Sequence, residues 1–368
     1  MPKLLYITNQ VCGPGGLERV LSIKASFFAE NLNYTIDVLT LNQEKQELFY
    51  DFSSKINYHN IQVYGNPISY IYRYKKEIKT VIKLVEPDLI CVCDDGIKGL
   101  LLPIIIGKPC PMIYERHVSK NIEIKNTSFI EKIKSKIKFK IMDFGGSFYN
   151  KFIVLTEGNT KEWSLKNIEV IPNPLSFFPK DTEISTLTRK RVLAVGKQSY
   201  QKGYDRLLES WKIVINEYPD WVLDIYGTYS EKEALPLLAQ KLGIEKQVNF
   251  FKPIKNISEK YKEASIYVMS SRYEGFGMVL TEAMSYGVPC VSFDCPYGPS
   301  DIITHNENGI LIPNDNIEGL ADGMLRLIKD ERLRMQMGSN SRKDILRYHI
   351  DNISKLWIQL FQKLTTNK

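Results

Sequence analysis

"ASIYVMSSRYEGFGMVLTEAMSYGVPCVSF", Ala264 to Phe293, reads as one strand–loop–helix–turn–strand unit. "IYVMSS" is a β-branched and aromatic run suited to a buried strand. "RYEGFG" is a loop in which Gly275 and Gly277 leave the backbone bare. "MVLTEAMSYG" has helical spacing and stops at Gly287, directly before Val288-Pro289, and "PCVSF" starts the next strand. Two such runs joined by a helical segment make a parallel βαβ unit.

The same alternation extends in both directions. Strands are expected at "KLLYIT", "TIDVLT", "INYHNI", "LICVC", "PMIYE" and "FIVLT" in the first half, and at "RVLAVG", "WVLDIYG", "VNFF", "IYVMSS", "PCVSF" and "GILI" in the second. Between the halves, "VIPNPLSFFP" holds three prolines and suits a rigid connector, placing a boundary near 172–185. The chain is therefore expected to be α/β with two Rossmann-like open sheets: 1–172, 173–350, and a closing helix at 351–368. Ile353, Trp357, Leu360 and Leu364 form one stripe of that helix. Open sheets bind ligands at the carboxyl ends of their strands, and two facing domains would make a cleft there.

Composition narrows the classes. At 368 residues, 43% hydrophobic and 25% charged, the chain is an ordinary globular protein of about two domains. No apolar run approaches the ~20 residues of a membrane span, and "MPKLLYITNQ" reads as a first strand, not a secretory signal, so a cytoplasmic protein is expected. The six cysteines and four histidines are dispersed, without a metal-ligand spacing. The net charge of +7 is concentrated: Arg116 to Lys151 holds nine Lys/Arg against three Asp/Glu. That points to an anionic partner near this surface, and no nucleic-acid-binding module accompanies it.

Chemistry-bearing residues follow the strands. Glu274 precedes the glycine turn and Glu282 lies within the helix, eight residues on. A carboxylate accepts two hydrogen bonds in a fork, which suits vicinal hydroxyls, and bare amides at 275–279 suit ligand oxygens. Either glutamate alone could be surface decoration. "VGKQSYQKGYDRLL" places Lys197 and Lys202 at a strand-to-helix junction, where ammonium groups and a helix N-terminus can hold an anion; solvated loop lysines are the plainer reading. "NQVCGPGGLERV" has Gly13, Gly15 and Gly16 before a helical run but Glu18 where a dinucleotide fingerprint needs glycine, so a plain tight turn competes with a phosphate loop. Asp94 and Asp95 follow "LICVC" and could meet hydroxyls or simply turn the chain. Arg116 and His117 follow "PMIYE"; Arg116 could pair with phosphate or with a carboxylate such as Glu115, and His117 could be structural or could face a ligand.

"GGLERV", "IPNP", "VGKQSYQKGYDRLL", "EGFGMVLTEAMSYGVPCVSF", "GPSDII" and "NGILIP" occur in an order and spacing that resembles glycosyltransferase family 4, the retaining enzymes of GT-B fold. The resemblance spans nearly the whole chain, is most specific in the Glu–seven residues–Glu block, and is thinner in the first domain. It implies an acceptor domain followed by a nucleotide-sugar domain, with the C-terminal helix crossing back to the first. It implies that Glu282 holds ribose hydroxyls, Glu274 the transferred sugar, and Lys202 the departing diphosphate. Lys197 stands where the family commonly has Arg. Gly16, Gly275, Phe276, Gly277, Met278 and Val279 would shape the donor site, and His117 matches a position that faces the sugar. Asp94, Asp95 and Arg116 are acceptor candidates.

The expected reaction moves a sugar, with retention, from a nucleotide-diphosphate donor to a glycan or polyprenyl-linked acceptor in bacterial-type surface polysaccharide assembly. UDP is the expected carrier, although Lys252-Pro253 replaces a frequent glycine near the base. No D-x-D occurs, so no metal or other cofactor is expected. A sugar-nucleotide epimerase, or a non-catalytic subunit of the same architecture, are the alternatives. Finally, Ile130, Ile133, Ile137 and Ile141 lie at helical spacing among lysines, although "KIKSKIKFKI" also alternates like a strand. As a helix, 120–151 could either cover the first sheet or lie on an anionic membrane leaflet.

Overall fold

The computed structural model describes residues 1–43, 47–120 and 129–366, which divide into two compact units. One comprises Met1–Pro174 with Ile350–Lys368, the other Leu175–His349. The closing helix therefore belongs to the first unit.

In the first unit the strands are β1 (Lys3–Thr8), β2 (Thr35–Leu41), β3 (Asn57–Ile61), β4 (Leu89–Cys93), β5 (Met112–Glu115), β6 (Lys151–Val154) and β7 (Ile168–Val170). They form one parallel sheet in the order β3-β2-β1-β4-β5-β6-β7. The helices are α1 (Gly16–Asn31), α2 (Pro67–Val85), α3 (Ile97–Leu100), α4 (Leu102–Ile106), α5 (Phe129–Gly146) and α6 (Glu157–Thr160). In the second unit β8 (Arg191–Val195), β9 (Val222–Tyr226), β10 (Val248–Phe251), β11 (Ile266–Met269), β12 (Cys290–Asp294) and β13 (Gly309–Pro313) form a parallel sheet in the order β10-β9-β8-β11-β12-β13. Its helices are α7 (Tyr204–Glu217), α8 (Leu235–Leu242), α9 (Ser258–Glu263), α10 (Met278–Ser285), α11 (Pro299–Ile302), α12 (Ile317–Lys329) and α13 (Glu331–Asp344), and α14 (Ile350–Thr365) returns to the first unit.

Both sheets are the two-faced parallel type, and the central strands are apolar throughout for that reason: "LICVC" and "IYVM" are buried at every position. The one strand that the sequence pattern omits is β7, whose "IEV" is too short to show a period. The stretch "KIKSKIKFKI" is helical, within α5; its 3.6-residue isoleucine spacing prevails over its alternation. Residues 121–128 and the Ile130 side chain lie outside the described residues. Pro67 at the first helical position and Asn66, whose side chain accepts from the Ser69 amide at 3.0 Å, start α2. On α14 the buried stripe is Ile353, Trp357, Leu360 and Phe361, the last packing its ring 5.6 Å from Phe28 of α1; Leu364 is only half-buried.

One side of the first sheet is covered by α2, α3, α4 and α5 through a single core that includes Tyr74, Ile78, Leu100, Leu102 and Met142. In the second unit α7 and α12 pack side by side on the core around Trp211 and Leu223.

Candidate active site

In the second unit, two loops at the carboxyl ends of adjacent strands are fastened together. After β8 the chain makes a 3-10 turn, Tyr200–Lys202, and Gly203 enters α7 at φ 61°. A Cβ at Gly203 would lie 2.2 Å from the Ser270 carbonyl oxygen, so glycine permits the turn to lie on the end of β11. The Ser270 hydroxyl donates to the Lys202 carbonyl at 2.9 Å, the Arg272 amide to the Gln201 carbonyl at 2.7 Å, and the Gln201 side chain to the Tyr273 carbonyl at 3.1 Å. Across this seam Lys202 Nζ donates to Glu274 Oε1 at 2.6 Å, and the Ser271 hydroxyl reaches the same oxygen at 2.6 Å. The Glu274 main chain is held from the other side by the Pro296 carbonyl, at 2.8 Å.

Arg272 closes the outside of the seam. Its fork meets both oxygens of Asp205, at 3.0 and 2.6 Å, and its guanidinium lies 4.0 Å from the Tyr200 ring centroid. Burial alone would raise the Asp205 carboxyl, but the Arg272 hydrogen bonds and charge outweigh it and hold it below its ordinary value. Sequence reading did not single out Arg272, Asp205 or Tyr200. The Arg adjoins the Glu274 loop, but its partner 67 positions away is a tertiary fact.

Glu282, on α10, is buried at 1% exposure. Its Oε1 accepts from the Ser176 hydroxyl at 2.7 Å and its Oε2 from the Tyr261 hydroxyl at 2.8 Å. Neither glutamate is surface decoration. Gly275, Phe276 and Gly277 are buried between them in sequence; Phe276 presses edge-on to Tyr348 at 5.3 Å, and Gly277 starts α10 at φ 98°. Met278 and Val279 are half-buried in its first turn, and Lys197 is exposed just after β8.

The first-unit candidates gather at the carboxyl edge of their sheet, mostly in internal roles. Asp94 is buried and accepts from the Asn9 side chain at 2.8 Å and the Gly96 amide at 2.9 Å, so it does turn the chain. Asp95 is more open, accepts from the His117 amide at 3.2 Å and lies 3.5 Å from Arg116. Of the two openings for Arg116, phosphate or a carboxylate such as Glu115, the carboxylate it meets is Asp95 and not Glu115; Arg116 is buried and also donates to the carbonyls of Asp95, at 2.6 Å, and Val118, at 2.9 Å. Successive residues at a strand end point to opposite faces, which is why the neighbours do not meet.

Glu115 instead takes Lys24 from α1. Both side chains are 2% exposed, and Trp357 of α14 lies 4.0 Å from the ammonium. Burial would raise the Glu115 carboxyl; Lys24 and His117 prevail and draw it down to about 2. His117 Nε2 stands 3.5 Å from Glu115 Oε2. Cys93, Glu115 and His117 bring ligand-type atoms within 4.8 Å of one another, a grouping invisible in the spacing of the sequence. The cation seated on that carboxylate is Lys24. Gly16 is the first residue of α1. A Cβ on Gly13 or Gly15 would fall 2.8 or 2.3 Å from a Glu18 carboxylate oxygen, so the bare loop is occupied by the helix's own first-turn acid.

Comparison with known proteins agrees with this architecture. The chain is 30% identical to a glycosyltransferase of Haemophilus influenzae over 97% of its own length and 99% of the relative's. It is also 30% identical to the amylovoran biosynthesis glycosyltransferase AmsD of Erwinia amylovora, with the same coverage. Its fold matches sucrose-phosphate synthase of Thermosynechococcus elongatus over all of both chains, at a TM-score of 0.82 and 16% identity. It also matches Anabaena HepE in complex with UDP-glucose over 98% of this chain and 100% of that one, at 0.77 and 17%. The two Rossmann-like parallel sheets are thus those of a GT-B protein. The family model for group 1 glycosyl transferases matches residues 179–344, the part that carries the Lys202–Glu274 seam and Glu282. With relatives of this identity aligned end to end, the chain belongs to the glycosyltransferases.

Proposed function

We propose that this glycosyltransferase moves a sugar, with retention of configuration, from a nucleotide-diphosphate sugar to a glycan or lipid-linked glycan acceptor in surface-polysaccharide assembly. The observation that carries the reading is the Lys202–Glu274 pair: a cation and a hydroxyl-binding carboxylate 2.6 Å apart, the lysine still partly open to solvent. Lys202 binds the diphosphate and stabilises its charge as the anomeric bond breaks; Glu274 turns from Lys202 and Ser271 to the hydroxyls of the sugar. Lys197 adds a second ammonium, and the amides of 275–279 surround the donor. Glu282 binds the ribose. Its carboxylate already bonds the Ser176 hydroxyl, and a ribose hydroxyl takes that place on binding.

Catalysis in this reading rests on positioning and charge stabilisation. The acceptor hydroxyl attacks the anomeric carbon on the face from which the diphosphate leaves, its proton passing to the departing phosphate oxygen, and no protein side chain forms a covalent bond to the anomeric carbon. The diphosphate is neutralised by the lysines, without a metal. Asp95, the most open of the first-unit candidates, serves the acceptor, with Asp94 and Arg116 shaping the loop behind it; His117, carried by Glu115 and Lys24, is that unit's group toward the sugar. UDP is the proposed carrier; HepE, of the same fold, has been solved with UDP-glucose. A relative serves amylovoran biosynthesis, which supports a surface polysaccharide as the destination. No described helix is long and apolar enough to cross a membrane. A lipid-linked acceptor is reached by peripheral contact of 120–151, at the cytoplasmic leaflet.

Calorimetry against UDP, GDP and ADP tests the donor. Tight binding of UDP alone is expected, together with its loss in Glu282→Ala. Unchanged donor binding in that variant refutes the site.

A further inference from the structure

The helical layer of the first unit exposes much of the molecule's apolar surface. On α2, Ile68 is 84% exposed, and Ile71 and Tyr72 are exposed beside it. On α5, Ile133, Ile137, Ile141 and Phe144 are exposed at spacings of three and four. Ile104 of α4 is exposed between them, and α4 touches both α2 and α5. All three helices bury their opposite sides in one core against the same side of the sheet. Their exposed side chains therefore share one outer surface.

That surface is also cationic. Arg73, Lys75, Lys76, Lys79 and Lys83 stand against Glu77 alone on α2, and α5 carries five lysines against Glu131 and Asp143. Three of the four large apolar residues that α2 exposes, Ile68, Ile71 and Tyr72, lie in its first two turns, and the fourth, Leu84, lies in its last. Because α2 follows β3, its first two turns lie at the carboxyl edge of the sheet, the edge that carries Asp95 and His117.

We propose that the outer face of the α2–α4–α5 layer is a docking surface for an anionic lipid bilayer, with Ile68, Ile71 and Tyr72 entering the headgroup region beside the acceptor end of the sheet. The proposal deepens the membrane contact assigned above to 120–151 and rests on that reading for its purpose, though not for its test. Charge complementarity names the occupant. Protein interfaces are depleted of lysine at their cores, whereas lysines with apolar neighbours suit a lipid surface, their stems lying along the acyl boundary and their ammonium groups on phosphates. Tyrosine and isoleucine at one helix end supply the interfacial anchor.

The test is flotation of the full chain with phosphatidylcholine vesicles, with and without phosphatidylglycerol, at physiological salt. Binding is expected only where phosphatidylglycerol is present. Replacing Ile68, Ile71 and Tyr72 together by Ser is expected to weaken it about tenfold or more, and replacing Ile133, Ile137 and Ile141 by Ser to weaken it comparably. These side chains are exposed, so UDP binding by calorimetry should stay unchanged in each variant, which separates failure of docking from failure of the donor reading. Wild-type binding by the α2 variant confines docking to α5 and overturns the three-helix face. No binding of the wild type to anionic vesicles overturns the proposal outright. So does a dimer that the same substitutions disperse, since a second copy would then be the occupant.

Discussion

Each unit sets a lysine against a glutamate at the carboxyl edge of a parallel sheet, and the two pairs differ in what encloses them. Lys24 and Glu115 are sealed at 2% exposure each, with Trp357 over the ammonium. Lys202 and Glu274 are 19% and 8% exposed, on loops fastened from outside by Arg272. A sealed pair cannot change partners without leaving a charge in a low-dielectric interior. An open pair can release each member to a ligand of matching chemistry. The same two residue types thus serve as scaffold in one place and as a candidate site in the other, and burial decides which.

The sharpest way to break this contrast is to remove the two lysines in parallel. Lys24→Met leaves the Glu115 carboxylate buried without its cation and is expected to cost about 3–5 kcal/mol of stability, read from denaturant midpoints. Lys202→Met should cost less, about 1–3 kcal/mol in the same experiment, because Glu274 keeps the Ser271 hydrogen bond and the lost ammonium was already part-exposed. Its effect falls on turnover: a loss of about 10²–10³ in kcat is expected if Lys202 stabilises the departing charge. Equal destabilisation by the two variants would erase the distinction.

Acid offers a second separation, with a definite sign. The Glu115 carboxyl is drawn down to about 2 in the folded protein from an ordinary value of 4.5. Its stabilisation is therefore complete above pH about 4.5 and fades as pH falls toward about 2; a shift of this size corresponds to on the order of 3 kcal/mol. Stability measured across that window should fall less steeply in Glu115→Gln than in the wild type. An unchanged slope would mean that the buried pair is not what acid titrates.

Arg272 sharpens the other half. It is a positioning residue: it touches Asp205 and Tyr200, and it holds the two loops that set the Lys202–Glu274 spacing. Arg272→Lys keeps the charge but loses the fork, and a fall of about tenfold in kcat is expected, with a smaller change in donor KM. A variant that alters KM alone would place Arg272 in ground-state binding instead.

The contrast also explains what the sequence made legible. The sheets were readable because fully buried parallel strands are continuous apolar runs, and only the three-residue "IEV" was too short. Glu274 and Lys202 stand out because they sit beside glycines after strands, and Glu282 because it follows Glu274 by eight residues, in the helix after the glycine turn. Lys24 does not, since it lies in the middle of a helix with an ordinary pattern, 91 positions from its partner. Arg272 and Tyr261 are equally opaque: their roles exist only once distant loops meet. Even the neighbours Glu115 and Arg116 are parted by the pleat and take distant partners, Lys24 and Asp95.

The smallest effect tests the sealed carboxylate of the open unit. Glu282 is as buried as Glu115, and hydroxyls reach both of its oxygens, Ser176 on one and Tyr261 on the other. A hydroxyl partner can be exchanged for a ligand hydroxyl at little electrostatic cost, which a buried ion pair does not allow. Tyr261 and Ser176 then have different fates: Tyr261 stays to orient the carboxylate, while Ser176 yields to ribose. Tyr261→Phe should weaken UDP binding by about 1 kcal/mol, roughly fivefold. Ser176→Ala should leave it unchanged or tighten it slightly, since the ligand no longer displaces a hydrogen bond. If both variants weaken UDP binding equally, Ser176 remains bonded in the complex and the ribose must meet Glu282 along another edge.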